Sequence, residues 1–222
     1  MNTVLESVLN FHGSITHQRL GAWLALLIVA FLPNYGIEKY GPSPVIPAAL
    51  LCLLGIWLVW RERMALFANA AQRRWSWLFL LLVVPVALSV PASFAPRMSL
   101  SILLVLCLYF FAGVALIRAL ADDVQRAWLV KWTAIILLAW IADALVQYQF
   151  GRDLVGVAVT EEGRVPGPFV GNLRLSLYLV LLLPLLLAWV MPFGLVPVLA
   201  AFGAAVGVAM LGGVRSALFY LI

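Results

Sequence analysis

Charge is what this sequence has least of. Only 10% of its 222 residues are Asp, Glu, Lys or Arg, while 65% are hydrophobic, and the mean hydropathy is +1.09. Such a composition excludes an ordinary soluble domain, which needs a charged surface. Cysteine is nearly absent. Cys52 and Cys107 each sit inside an apolar run, which excludes a disulfide framework or cysteine metal site and leaves them as small core or lipid-facing residues. Histidine is confined to His12 and His17, which read as solvated surface residues, a pH or metal role being the alternative. The HExxH, P-loop and GxSxG patterns are missing, so zincin, Walker-type and nucleophile-elbow chemistry have no carrier here. There is no internal repeat and no low-complexity tract. The segment after Met1 lacks a basic n-region and a small-residue cleavage site, so no cleaved signal peptide is expected.

What is present in quantity is apolar run. Several runs approach the roughly 20 residues that a bilayer demands. A closed barrel would show alternation instead, so the expected fold is all-α, a polytopic transmembrane helical bundle. Residues 1–19 are too polar to span and predict a cytoplasmic or interfacial segment, with Val4, Leu5, Val8, Leu9 and Phe11 close to helical spacing. The transmembrane domain then occupies 20–222. Its spans are expected near 20–32, ended by Pro33-Asn34, and near 44–60, 75–90, 100–120, 128–146, 173–191 and 195–211. An eighth begins after Arg215. Pro85 and Pro184 fall inside spans, where membrane helices tolerate proline.

Lys and Arg placement predicts orientation. Arg19, the group Arg61, Arg63, Arg73 and Arg74, and the group Arg118, Arg126 and Lys131 fall on one side by parity, and that side is expected to be cytoplasmic. The N-terminus then lies in the cytoplasm, and loops 33–43, 91–98, 147–172 and 212–216 lie outside. The outer side still carries Lys39, Arg97, Arg152, Arg164, Arg174 and Arg215, four of them between 152 and 215. Such residues either serve an anionic ligand or snorkel to lipid headgroups.

The stretch Gly163-Arg164-Val165-Pro166-Gly167-Pro168-Phe169-Val170-Gly171-Asn172 is too rich in Gly and Pro for regular structure. It reads as a shaped loop holding Arg164 at a membrane surface. Asp143 stands inside an apolar run, with Gln147 one helical turn on. Intramembrane acids pair or face a cavity, so Asp143 either braces the outer cavity, by pairing with an arginine for example, or bonds between helices. A general base at the outer site is not visible in these residues, with Asp143, Glu161 and Glu162 as the exceptions to consider, and Glu161-Glu162 in a loop read more readily as solvated. Gly203 and Gly207 predict close helix packing, and Gly212-Gly213 would extend that approach toward Arg215.

Over 163–217 the chain resembles the O-antigen ligase and O-antigen polymerase superfamily. Arg164, Gly167, Phe169 and Asn172 fall in an Arg-x-x-Gly-x-Phe-x-x-Asn pattern ahead of a Leu-rich helix containing Pro184, and Gly212-Gly213-Val214-Arg215-Ser216-Ala217 resembles the family's later small-residue and arginine motif. The family's Asn-Pro-Asn is here Gly171-Asn172-Leu173, and its Ser-Arg-Gly is Val214-Arg215-Ser216. The resemblance implies a bacterial inner-membrane glycosyltransferase of lipopolysaccharide biosynthesis. It would move a glycan from undecaprenyl pyrophosphate to lipid A–core, or to another repeat unit, on the periplasmic face. It implies no cofactor, no metal and no nucleic-acid partner. Arg164, Arg215 and Arg174 would bind the diphosphate, supported by Asp143, Gly167, Phe169 and Asn172. Family members have roughly a dozen spans and a histidine on a later periplasmic loop as general base, so these residues are expected to be an N-terminal part, inactive alone. A transporter for an anionic solute is the alternative from another class, though transporters place polar groups near mid-membrane.

Overall fold

The structure is a computed structural model. It describes residues 2–34, 43–61, 67, 69–160, 163–169 and 174–212, with side chains from His17 onward. Among these residues there are seven α-helices: α1 (Asn2–Phe31), α2 (Val45–Arg61), α3 (Ala70–Ser89), α4 (Pro96–Ala119), α5 (Asp123–Phe150), α6 (Leu175–Val190) and α7 (Leu195–Leu211). Single 3-10 turns follow α1 and α6. The described residues contain no strand, only an isolated bridge between Arg152 and Ala158. Among the described residues three helices are long and apolar enough to cross a membrane: α4, α5, and α6 with its 3-10 turn. The apolar α2 and α7 are shorter.

The polar segment 2–19 and the first apolar run form one continuous helix, ended where Pro33 cannot supply the next N–H. α3 and α6 run through Pro85 and Pro184. The chain divides into two compact units, 1–25 with 45–126 and 26–44 with 127–222.

In the first unit α2 packs on α4 through Gly55, where a Cβ would run into the Phe111 carbonyl. The Trp75 ring of α3 lies over Gly113 of α4, and its Nε1–H donates to the Phe110 carbonyl at 3.1 Å. His17 is half-buried and packs on Trp57, with ring centroids 4.4 Å apart, so it is a packed residue rather than a solvated one. Cys52 is buried and Cys107 partly so, both as free thiols. α4 buries only 11% of its most apolar window. Leu100, Ile102, Leu104 and Leu108 on α4, and Leu78, Leu81 and Leu82 on α3, are exposed. Faces this apolar need hydrocarbon around them.

In the second unit Leu175, Leu179, Leu183, Leu186 and Val190 form one stripe of α6. They pack with Leu137, Trp140, Ile141 and Ala144 of α5 and with Ala201, Ala205 and Val208 of α7. The small-residue face of α7 is therefore not the expected one. A Cβ on Gly203 or Gly207 would meet nothing within 4 Å. Residues 201, 205, 208 and 212 recur at helical spacing, and 203 lies two residues, about 200°, from that stripe. Gly212 does make the close approach expected of it: its Cα faces the Ser176 hydroxyl, which a Cβ would strike. That hydroxyl donates to the Ala209 carbonyl at 3.0 Å.

These glycines make a paired prediction. Gly55→Val should cost about 1–3 kcal/mol, because the helices must part to admit the side chain. Gly203→Val should stay within about 0.5 kcal/mol. Thermal unfolding in detergent checks both; an equal loss would show that α2 and α4 do not meet at Gly55.

Candidate functional site

The loop between α5 and α6 is built on two polar residues of α5. Gln147 is completely buried. Its Nε2 donates to the Val157 carbonyl at 3.0 Å, and its Oε1 accepts from the Gly167 amide at 2.8 Å. A single side chain thus fastens both limbs of the loop. One turn earlier, Asp143 Oδ1 accepts from the Leu154 amide at 2.9 Å. The bonded oxygen of Asp143 takes a loop amide, so the residue acts as a brace beneath the loop.

The first limb is a turn closed by Asp153. Its Oδ1 accepts from the amides of Val155 at 3.0 Å and Val157 at 2.6 Å, while the Gly156 amide reaches the Asp153 carbonyl at 3.1 Å. Aspartate binding backbone two residues on, with a positive-φ glycine behind it, is an Asx-type turn. The pattern Asp153-Leu154-Val155-Gly156 is legible in the sequence, but no span-level reading finds it. The Oδ2 atoms of Asp143 and Asp153 are buried and meet no hydrogen-bonding group among the described residues.

The second limb carries Arg164. Thr160 Oγ1 accepts from the Arg164 amide at 3.0 Å, and the Thr160 amide donates to the Arg164 carbonyl at 3.0 Å. The backbone of this residue is therefore held from both sides. Its side chain is half-buried. The next amide, of Val165, donates to the Leu211 carbonyl at the end of α7, at 3.2 Å.

Gly167 has φ 59°, a region costly for any residue with a Cβ. A Cβ there would also come within 2.7 Å of the Leu175 side chain. Phe169 is buried between Trp140, edge-on at 5.2 Å, and Tyr178, stacked at 5.3 Å. It anchors the loop's far end in the α5–α6 core, as offset and edge-to-face aromatic pairs do.

Four of the expected site residues thus belong to one assembly: Asp143, Gly167, Phe169 and Arg164. Arg174 stands exposed just before α6, and its carbonyl accepts from the Tyr178 amide at 3.1 Å. Arg152 is exposed at the bridge to Ala158. Arg215, Asn172, Glu161 and Glu162 lie outside the described residues. Gln147, Asp153, Thr160 and Ser176 are the structural residues that composition and spacing left unassigned. The assembly is thus a loop fastened on buried polar side chains of α5, with the backbone of Arg164 held in its second limb. No protein-family model, no curated protein and no solved structure matches this chain.

Proposed function

We propose that this chain is part of an O-antigen ligase-like glycosyltransferase of the bacterial inner membrane. In this reading seven spans and the start of an eighth place the N-terminus in the cytoplasm and the 147–172 loop in the periplasm. The donor is a glycan on undecaprenyl pyrophosphate and the acceptor is lipid A–core. Arg164 and Arg215, with Arg174 at the rim, hold the diphosphate and stabilise it as it leaves. Asp143, Gly167, Phe169 and Asn172 support them. Membrane lipids surround the apolar helices.

One observation carries the reading. The Val165 amide is bonded to the Leu211 carbonyl, one residue from Arg164 and four residues before Arg215. Four residues of chain span at most about 14 Å. The hydrogen bond sets the neighbour of Arg164 against the end of α7, and Arg215 follows that end four positions on in the sequence, which supports a reading in which both reach one diphosphate. A transporter reading would instead need polar groups along a path near mid-membrane, and the polar residues of this assembly cluster at one end of α5.

The test uses the full-length protein in proteoliposomes containing lipid A–core, with an undecaprenyl-pyrophosphate-linked glycan as donor. Glycan should appear on lipid A–core. Longer lipid-linked glycan with no lipid A–core conjugate would make the protein a polymerase. Uptake of an anionic solute without any transfer would make it a transporter. Orientation is checked separately in spheroplasts of a variant lacking Cys52 and Cys107. An impermeant thiol reagent should label Val155→Cys and spare Ala121→Cys; the reverse pattern overturns the periplasmic site.

A further inference from the structure

The first unit holds a second polar feature, apart from this loop. A cavity of about 420 Å³ opens where α3 begins and α4 ends, and Asn69, Gln72, Arg118 and Arg126 line it. Gln72 is buried, and its Oε1 meets no donor among the described residues. Its backbone amide is already used, bonding Asn69 Oδ1 at 2.7 Å. Arg126 is held by Asp123 at 2.5 Å, with both side chains more than half exposed. Arg73 and Arg74 are exposed on the first turns of α3. Among the described residues of α3, α4 and the start of α5, this end carries Arg73, Arg74, Arg118 and Arg126 beside Asp122 and Asp123.

Farther along the same two helices lies a second cavity of about 460 Å³, walled by Ser76, Phe79, Val83, Cys107, Phe110 and Phe111. The two cavities share one face. Residues 72, 76, 79 and 83 recur at helical spacing on α3, and so do 107, 110/111 and 117/118 on α4. From Gln72 to Val83 the rise is about 16 Å, close to half of the roughly 30 Å hydrocarbon core. A basic, hydrogen-bonding head followed by an apolar groove one leaflet deep has the outline of a phospholipid.

We propose that this face of α3 and α4 binds one phosphatidylglycerol-type phospholipid. The phosphate sits on Arg118 and Arg126, a headgroup hydroxyl donates to Gln72 Oε1, and an acyl chain runs past Ser76 and Phe79 between Val83 and Cys107. Arginine suits a phosphate in a fork geometry. The orphan acceptor selects a headgroup that brings its own donor, because a buried acceptor without one is costly. Phosphatidylcholine satisfies the arginines but has no donor for Gln72. The proposal is independent of the glycosyltransferase reading, since it uses no residue of the 147–172 loop.

The purified chain in detergent would be titrated with dioleoyl-phosphatidylglycerol, -phosphatidylethanolamine, -phosphatidylcholine or inorganic phosphate. Retained lipid is counted by native mass spectrometry and read again as a rise in unfolding temperature. One phosphatidylglycerol per chain should be retained, about tenfold in preference to phosphatidylcholine. Arg118→Gln/Arg126→Gln should abolish that preference, and Gln72→Leu should reduce phosphatidylglycerol retention while leaving phosphatidylcholine unchanged. Val83→Trp, which fills the groove and spares the arginines, should also reduce retention, so the test stands even if the double variant folds poorly. Equal retention of phosphatidylglycerol and phosphatidylcholine overturns the proposal, as does a preference unaltered by these variants. Equal binding of phosphatidylethanolamine overturns the anionic headgroup, and displacement of the lipid by millimolar phosphate overturns the lipid in favour of a free-phosphate site.

Discussion

Arg215→Ala in the full-length protein should abolish glycan transfer while leaving expression and membrane insertion normal. A pyrophosphate leaving group gains negative charge as its bond to the sugar breaks. A guanidinium placed on its oxygens binds that state more tightly than the ground state, and only such differential binding raises the rate. Loss of one such contact commonly costs about 3 kcal/mol, or roughly a hundredfold in rate. Arg215→Lys should fail substantially too, because a point charge cannot reproduce a bidentate fork. Arg164→Ala should show a loss of the same order. The backbone of Arg164 is held by Thr160, and an unchanged unfolding temperature in detergent would place the defect of this variant in transfer rather than in folding. A rate-sensitive lipopolysaccharide gel assay decides the matter. Near-normal transfer by both alanine variants would reduce these arginines to headgroup anchors and remove the main support of the proposed function.

Gln147→Leu should release the loop. The substitution leaves the Val157 carbonyl and the Gly167 amide facing an apolar side chain in a fully buried position. Each buried polar group left unpaired costs about 1–3 kcal/mol. The loss should fall on the loop rather than on the helices, because α5, α6 and α7 keep their own apolar core. Amide hydrogen exchange is the direct readout. Protection of the Gly167 and Val165 amides should fall roughly thirtyfold or more, the equivalent of about 2 kcal/mol, with the amides of α6 little changed. Gln147→Glu is the informative companion. It keeps an acceptor for Gly167 but turns a second acceptor toward the Val157 carbonyl, so the first limb should loosen more than the second. Unchanged exchange in Gln147→Leu would mean that the loop is held by Phe169 and its neighbours alone.

The sequence by itself determined the broad class. A chain of apolar runs separated by short polar connections has to be helical in a bilayer, since every backbone group must find its partner within the segment. It also located the loop, because Gly163 to Phe169 contains too much glycine and proline for a helix, and it marked the end of α1 at Pro33. These are local properties, carried by composition and by the conformational limits of single residues. Tertiary structure decided the rest. Nothing in the spacing of Gly203 and Gly207 told which face of α7 would be buried; that depended on where the leucine stripe of α6 arrived, and it met Ala201, Ala205 and Val208 instead. His17 became a packing partner of Trp57 only because α2 passes beside it. Gln147 read as a polar neighbour of Asp143, whereas its two bonds reach residues 10 and 20 positions away. The Val165–Leu211 bond joins segments 46 positions apart, and no local propensity encodes such a meeting. It arises because α6 and α7 fold back on each other, so that burial of their apolar faces carries the end of one to the start of the other.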